Sequence, residues 1–304
     1  MKNRFFWYKG EKKKCFGLMH PDEVVYIVRR DDKCGLGSFI VTNIRMIKEA
    51  IDKEWIPVID MKNYRNAYQS DDEIGKENVW EYYFEQPDMK VGLKEAYQCR
   101  NVILSDVRIP KEQGDKPGFN IKFLNNENLM EEYRKIVSRY VRLNEKTKIY
   151  IDKIFDDCFD KSDRILGVVV RGTDYTTQKP KNHPIQPTIE QAIEKTREIV
   201  QEQMCKKIFL ATEDKTIYDA FSQAFGKQLV TNPKEYIKYK GGVINDYVFD
   251  RENDGYLRGL EYLTTMVILS RCHCFLAGRC GASVVALLFS KGFEYTYLWD
   301  LGEY

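Results

Sequence analysis

The chain has 304 residues, of which 43% are hydrophobic and 31% charged, and its 48 basic and 46 acidic side chains leave a net charge of +2. This composition excludes disordered and fibrous proteins, and the balanced charge gives no indication of nucleic-acid binding. Apolar runs such as 282–289 are far shorter than the ~20 residues that cross a bilayer, and no secretory signal follows the start. We therefore expect a cytoplasmic protein whose eight cysteines stay reduced.

The first twenty residues are locally basic and aromatic. They contain six Lys or Arg and one Glu, with four aromatic residues at positions 5–8. One interpretation is peripheral contact with an anionic surface at the inner face of the cell membrane. The other is a solvated tail.

The N-terminal half begins with a βαβ pattern. A β-branched and aromatic run at 24–28 predicts a buried strand, and the glycines of 35–37 lead into a helix that extends to about residue 53. Residues 56–60 predict the next strand. Strand, turn, helix and strand in this order indicate a parallel sheet.

The chain between residues 63 and 160 is less regular. Residues 63–87 are polar and aromatic, 101–104 predict a strand, and the Gly, Pro and Asn of 113–126 predict a loop. Residues 127–160 have apolar residues at helical spacing and predict one long helix.

The second half alternates strands and helices more clearly. Predicted strands are 165–170, 207–211, 228–230, 273–277 and 295–299, and predicted helices are 188–203, 216–224, 255–270 and 282–291. Thr188 and Gln191 form a capping-box pattern at the start of the first of these helices. The pattern predicts an α/β fold with two Rossmann-like domains, 1–160 and 161–304, facing across a cleft.

Parallel α/β sheets bind ligands beyond the carboxyl ends of their strands, and the first such end carries Arg171, Gly172 and Asp174. The Arg171 guanidinium suits a phosphate, and Gly172 would let the backbone approach a ligand closely. Asp174 could take a proton or bind a hydroxyl. The alternative is a turn with a structural Arg–Asp pair.

Two further strand ends carry suitable residues. Thr212, Glu213 and Asp214 follow the strand 207–211 and could meet ribose or base donors, although helix capping is the alternative. The loop 278–283 opens a helix, where backbone N–H groups favour phosphate, although a tight turn without a ligand fits equally well. Its candidate ligand-binding residues, with one further cation, are Gly278, Arg279, Gly281, Ala282, Ser283 and Arg258.

Three weaker patterns indicate other functions. Gly35 and Gly37, with Asp60 ending the next strand, partly match a dinucleotide fingerprint, but Ile40 occupies the place of its third glycine. Zinc-type ligands occur at 272–274 and at Cys280, although buried thiols are favoured because alternate strand residues face opposite ways. The aromatic run 80–85 could stack on a sugar or pack a loop.

Taken together, these segments resemble the α1,6- and O-fucosyltransferase superfamily, which includes animal core α1,6-fucosyltransferases and rhizobial nodulation enzymes. The family's first motif reads roughly Val-His-Val-Arg-Arg-Thr-Asp, and residues 168–174 read VVVRGTD. The other matching segments are His183-Pro184-Ile185 at the family's spacing after Tyr175, LATED at 210–214, LRG at 257–259 and the loop 278–283. The resemblance covers about residues 165–304.

The resemblance implies a GT-B fold without a catalytic metal or a cofactor. It also implies an inverting glycosyltransferase that moves fucose from GDP-fucose, held by the second domain, to a glycan or lipid-linked glycan acceptor at the first domain. Arg171 would hold the β-phosphate, Glu213 and Asp214 the ribose or guanine, and the loop 278–283 the diphosphate. The absence of the animal relatives' membrane anchor suggests a bacterial enzyme of surface polysaccharide biosynthesis.

The sequence departs from the family pattern at Val169, which replaces a histidine, and at Gly172, which replaces an arginine. Lys179 occupies the place of the family's glutamate base, and a protonated lysine is a poor base. Asp174 is therefore the predicted base. His183 is the second candidate because an imidazole titrates near neutral pH, and its alternative role is loop hydrogen bonding.

The sequence leaves three rival functions open. The first is a GT-B transferase that uses another nucleotide sugar, because fold does not determine the sugar. The second is a non-catalytic protein that binds nucleotide sugars or glycans. The third is an NAD-dependent enzyme that uses Gly35, Gly37 and Asp60.

Overall fold

The computed structural model describes residues 10–108 and 116–304, which form two compact units. The first unit comprises Met1–Pro117 with Glu127–Lys148, and the second comprises Gly118–Asn126 with Ile149–Tyr304. The functional division into an acceptor side, 1–160, and a donor side, 161–304, stays a prediction.

The first unit contains a four-stranded sheet with the strand order β1-β4-β2-β3. In chain order, the elements up to the second sheet are β1 (Lys12–Lys14), β2 (Met19–Arg29), α1 (Leu36–Asp52), β3 (Ile56–Asp60), α2 (Leu93–Ala96), β4 (Cys99–Leu104), α3 (Ile121–Leu124), α4 (Glu127–Tyr140) and α5 (Glu145–Cys158). Strand β2 is parallel to β3 and to β4, as the βαβ pattern predicts. Strand β1, which the sequence does not predict, pairs antiparallel with β4.

The long helix predicted over residues 127–160 is wrong, because two helices with a break at 141–144 occupy this stretch. Leu143 forms an isolated bridge with Phe84, and the Asn144 N–H donates to the Tyr83 carbonyl at 2.9 Å. The Asn144 side chain accepts from the Thr147 N–H at 2.9 Å and so caps α5. Pairing with a distant loop thus ends a pattern that is helical in the local sequence.

That loop contains the aromatic run 80–85, in which three of the aromatic side chains pack in the interior of the first unit. Trp80, Tyr83 and Phe84 are at most 1% exposed, and the rings of Trp80 and Phe84 stack at 4.3 Å between centroids. The Trp80 indole N–H donates to the Glu85 carbonyl. These rings therefore present no surface for stacking on a sugar.

The second unit contains five parallel strands in the order β7-β6-β5-β8-β9. Its elements are β5 (Ile165–Val169), α6 (Asp174–Gln178), α7 (Ile189–Glu202), β6 (Lys207–Ala211), α8 (Lys215–Phe225), β7 (Leu229–Val230), α9 (Asp254–Leu269), β8 (Cys274–Gly278), α10 (Gly281–Phe289) and β9 (Tyr295–Trp299). Leu166, Val168, Leu210 and Leu276 form its core and are at most 1% exposed. The capping box of Thr188 and Gln191 is present.

The strand order of the second unit positions the candidate site. From β5 the chain proceeds outward through β6 and β7, and then returns to the other side of β5 for β8 and β9. Ligands of parallel sheets bind at such a switch point, beyond the carboxyl ends of the strands. The segments after β5 and β8 flank that point. Within residues 10–108 and 116–304, no helix combines the length and hydrophobicity needed to span a membrane.

We expect the stability of the first unit to depend on pH through His20. Its ring nitrogens lie 2.8 Å from Glu95 and 2.6 Å from Glu23, and these hydrogen bonds raise the pKa of the imidazole. Protonated His20 thus stabilises the folded state fully below the unfolded pKa of about 6.5, and this contribution is lost as pH rises through the raised pKa. The melting temperature of the His20→Gln variant should lie below that of wild type at about pH 6, and the difference between the two melting temperatures should be smaller at about pH 9. A difference that is constant with pH would contradict this.

Candidate active site

The centre of the site is an ion cluster at the carboxyl end of β5. The Arg171 guanidinium pairs with Asp174 Oδ1 at 2.7 Å and, through its other terminal nitrogen, with Glu213 Oε1. It also stacks over the Tyr175 ring at 4.9 Å. Residues from the ends of two neighbouring parallel strands therefore meet at one cation.

Burial and charge act in opposite directions on Arg171. Burial by itself lowers the pKa of the guanidinium. The nearby carboxylates of Glu213 and Asp174 raise the pKa, and the net shift is upward. The side chain is 17% exposed. Arg171 is therefore a permanent cation whose charge is already matched by two carboxylates.

Position 172 requires glycine because two side chains of the protein lie close to its backbone. A Cβ at this position would lie 2.6 Å from Asp214 Oδ2 and 2.7 Å from Ile217 Cδ1. The sequence suggests that Gly172 makes room for a ligand, whereas the neighbour in this structure is the Asp214 side chain. Its contact with a nucleotide stays a prediction.

The two acidic residues after β6 have different environments. Asp214 accepts from the Thr216 N–H at 2.8 Å and caps α8, and its second oxygen accepts from the Thr173 N–H at 3.3 Å. Glu213 faces Arg171 and is 25% exposed. Thr212 is buried and accepts from the Asp214 N–H. Asp214 thus caps a helix, which was the alternative to ligand binding. Glu213 is the carboxylate that is open to a ligand.

His183 lies beside the cluster, behind an aromatic side chain. Its ring meets the Tyr175 ring edge-on at 5.2 Å, and Tyr175 in turn lies under Arg171. The His183 Nδ1 lies 3.1 Å from the Lys181 carbonyl oxygen. Burial raises the pKa of Tyr175. Asp174 is therefore in contact with the central arginine, and His183 is one side chain further away.

Sequence reasoning missed Lys234, which follows the short strand β7. Burial lowers the pKa of its ammonium to about 8, against the opposing charges of Glu213 and Glu261. The segment is fixed beside β6 because the Ile237 N–H donates to the Glu213 carbonyl at 2.8 Å. The strand-end rule used for the other three segments would have found this lysine had it been applied to β7.

Arg258 belongs to a second ion cluster at the start of α9. It pairs with Asp254 at 2.8 Å, and Asp254 also pairs with Arg251 at 2.8 Å. Arg251 in turn makes two contacts with Glu261, at 2.5 and 3.0 Å. The charges of both Glu261 in this cluster and Glu213 beside Arg171 act on the Lys234 ammonium and raise its pKa against the effect of burial.

Only some of the residues predicted to bind phosphate in the loop after β8 are exposed. Gly281 and Ala282 at the start of α10 are partly exposed. The Ser283 hydroxyl is buried, accepting from the Cys280 N–H at 2.9 Å and donating to the Cys280 carbonyl. Gly278 is also buried, and a Cβ there would collide with Gln186 Oε1. Gly281 and Ala282 are the residues of this loop that a phosphate could reach.

Arg279 holds other parts of the second unit together. Its guanidinium is 3% exposed, pairs with Asp300 at 2.9 Å, and donates to the carbonyls of Phe119 and Gly302. It therefore anchors the C-terminal segment and residue 119 to the end of β8. Its predicted role in nucleotide binding stays a prediction.

The weaker motifs do not form ligand sites. Asp60 is completely buried, accepts from Asn63 and Tyr97, and has a pKa raised by burial, so it does not offer a carboxylate to a ribose. Cys272 and Cys280 lie at opposite ends of β8, which separates the zinc-type ligands. No metal-binding group of three or more His, Cys, Asp or Glu occurs among residues 10–108 and 116–304.

No protein-family model matches the sequence, and no curated protein matches it by sequence. The structure is similar to NodZ α1,6-fucosyltransferase soaked with GDP-fucose, at 16% identity and a TM-score of 0.52, over 88% of this chain and 93% of that chain. NodZ from Bradyrhizobium matches with 16% identity and a TM-score of 0.51, over 88% and 94%. POFUT1 in complex with GDP matches with 10% identity and a TM-score of 0.51, over 91% and 98%. The predicted α/β fold of GT-B fucosyltransferases is thereby confirmed.

Proposed function

We propose that this protein is an inverting fucosyltransferase that uses GDP-fucose. The observation that carries the proposal is Arg171, a partly buried cation at the switch point of a sheet whose fold is shared with NodZ soaked with GDP-fucose and POFUT1 bound to GDP. A diphosphate leaving group develops negative charge as the sugar departs. A fixed guanidinium and a helix N-terminus are suited to stabilise that charge.

In this proposal, the diphosphate binds Arg171 and the N–H groups of Gly281 and Ala282. Arg171 already pairs with Asp174 and Glu213, and in this proposal the incoming phosphate oxygen replaces one of these carboxylates. Replacing Asp174 has a chemical advantage, since a carboxylate that loses its cation becomes a stronger base. Donor binding would thus prepare the base.

Asp174 then takes the proton of the acceptor hydroxyl. The acceptor oxygen forms a bond to the anomeric carbon of fucose, the bond from that carbon to the diphosphate oxygen breaks, and GDP leaves with the electron pair. Attack from the opposite face inverts the anomeric configuration. Glu213, released or retained by Arg171, is the nearest carboxylate for the ribose hydroxyls, with Lys234 holding its charge in place.

We further propose that transfer requires no metal or cofactor and that the acceptor is a glycan or lipid-linked glycan of a bacterial surface polysaccharide, modified in the cytoplasm. Asp214, Thr212, Gly172, Gly278, Ser283, Arg279 and Arg258 would act by shaping the donor site. Contact of residues 1–20 with a membrane is part of the same proposal, and positions 1–9 lie outside the described residues.

The test is calorimetric titration with GDP-fucose, GDP-mannose, UDP-glucose and UDP-galactose, followed by assays of GDP release with and without EDTA. We expect GDP-fucose to bind most tightly and turnover to survive EDTA. Preference for a UDP-sugar would identify a different transferase. GDP binding without transfer to any acceptor glycan would instead identify a nucleotide-sugar-binding protein.

A further inference from the structure

Thr173, between Arg171 and Asp174 in the cluster, has a backbone conformation that threonine rarely adopts. Its φ of 54° and ψ of −124° lie in a region used almost only by glycine, and its side chain is β-branched. The residue is 1% exposed. Glycine would form the same turn without strain, so the threonine side chain has a role that the turn itself does not require.

The Thr173 hydroxyl lies between two carboxylates. Its oxygen is 3.0 Å from Glu213 Oε1 and 3.1 Å from Asp174 Oδ1, the same two oxygens that pair with Arg171. A hydroxyl carries one proton and can donate to only one of them at a time. Toward the other oxygen the hydroxyl can only accept, and it does so when that oxygen carries a proton.

We infer that the Thr173 hydroxyl relays a proton from Asp174 to Glu213, an inference that rests on the proposed function. Once Asp174 has taken the acceptor's proton, its O–H donates to Thr173 Oγ1 while the Thr173 O–H donates to Glu213 Oε1. In the transfer, the Asp174 O–H bond breaks as a new Thr173 O–H bond forms, and the original Thr173 O–H bond breaks as a Glu213 O–H bond forms. Asp174 is again a carboxylate, and Glu213 passes the proton to water.

The surroundings favour this direction. Glu213 is the more exposed of the two carboxylates, with 25% of its side chain accessible against 17% for Asp174, and a bound acceptor would cover Asp174. A diphosphate on Arg171 also weakens the cation's hold on Glu213 and so raises its affinity for a proton. The charged and titratable groups that face the pair are Arg171 after β5, Tyr175 on α6, Asp214 after β6, Lys234 after β7 and Cys280 before α10.

The relay can be tested with Thr173→Val, which keeps the shape and branching of the side chain but lacks the hydroxyl, and with Thr173→Ser, which restores it. Because the relay resets the base after each transfer, we expect kcat for steady-state transfer to fall about tenfold or more in Thr173→Val and to stay within about threefold of wild type in Thr173→Ser. The donor's dissociation constant should be unchanged.

A solvent isotope experiment distinguishes a relay from a purely structural role. With mixtures of H2O and D2O, wild type should show a curved dependence of the steady-state rate, because two protons move together in the relay, whereas Thr173→Val should show a straight line. Glu213→Gln, in which an amide replaces the carboxylate that would take up the proton, should also give a straight line. Thr176→Val is the matched control, because the Thr176 hydroxyl donates to the Thr173 carbonyl oxygen and contacts neither carboxylate among the described residues, and the same chemical change is made one turn away.

The possible failures can be told apart. If Thr173→Val and Thr173→Ser have equal rates and equal isotope dependences while wild type transfers fucose, the relay is wrong and the proposed function stands. If wild type neither binds GDP-fucose nor transfers fucose, the proposed function fails and the relay fails with it. If Thr173→Val does not fold, the Glu213→Gln isotope dependence decides, and a curved line would overturn the relay.

Discussion

Replacing Arg171 with alanine is expected to lower kcat/KM for fucosyl transfer by about 10²–10³, the usual cost of losing one fixed charge-stabilising group in a transition state. The side chain is the cation at the end of β5, and it contacts both Asp174 and Glu213. Its loss removes the group that would meet the departing diphosphate. The measurement is steady-state transfer with GDP-fucose, together with donor affinity by calorimetry.

Two controls separate chemistry from folding. Arg171→Ala leaves two neighbouring carboxylates without their cation, so their mutual repulsion should lower the temperature of thermal unfolding. Arg171→Ala combined with Glu213→Gln removes that repulsion and should recover stability but not transfer. Arg271→Ala removes an arginine that pairs with Asp152 at 2.7 Å before β8, at the other end of the sheet, and should leave transfer unchanged. Undiminished turnover in Arg171→Ala would remove the basis of the proposed function.

Asp174→Asn is expected to reduce kcat by about 10²–10⁴, the range for loss of a general base, while donor binding is retained or strengthened. Binding should not weaken, because the substitution removes a negative charge that competes with the diphosphate for Arg171. His183→Gln should cost less than about tenfold, because Tyr175 separates the imidazole from the ion cluster. Rapid-quench measurement of a single turnover gives the chemical step directly.

Asp219→Asn is the matched control for this substitution, because Asp219 is an exposed carboxylate on α8 that pairs with Lys215. It should leave kcat unchanged. If His183→Gln were the slower variant and Asp174→Asn were nearly normal, the two roles would be exchanged and Asp174 would be a structural partner of Arg171. That result would also remove the donor-linked preparation of the base.

Local sequence patterns predicted the second sheet well. Residues 207–211 and 295–299 were predicted as strands and form β6 and β9 with the same bounds. Buried parallel strands are continuous apolar runs that hardly depend on partners for their recognition. The strand-end rule also identified Arg171 and Glu213 as candidate site residues, and the structure brings them together because the carboxyl ends of parallel strands share one edge.

Such local patterns could not predict the contacts between distant segments of the chain. Residues 127–160 are helical in periodicity, yet Leu143 pairs with Phe84 and divides the helix. The strain at Thr173 is equally invisible, since nothing in the letters of residues 171–174 shows that a β-branched residue would be held at φ 54°. Only the surrounding contacts can hold such a conformation.

The sequence by itself determined the α/β class, the strand ends that carry Arg171, Asp174 and Glu213, and the resemblance to fucosyltransferases, because apolar periodicity and short motifs are local properties of the chain. The tertiary structure alone decided how those residues are used. It placed two carboxylates on one arginine, set the Thr173 hydroxyl between them, brought the Lys234 ammonium under the influence of the charges of Glu213 and Glu261, and committed Asp214 and Arg279 to contacts within the protein. The contacts of Arg171 and Thr173 with Glu213 join the ends of two different strands, and such contacts arise only when the strands are aligned in the sheet.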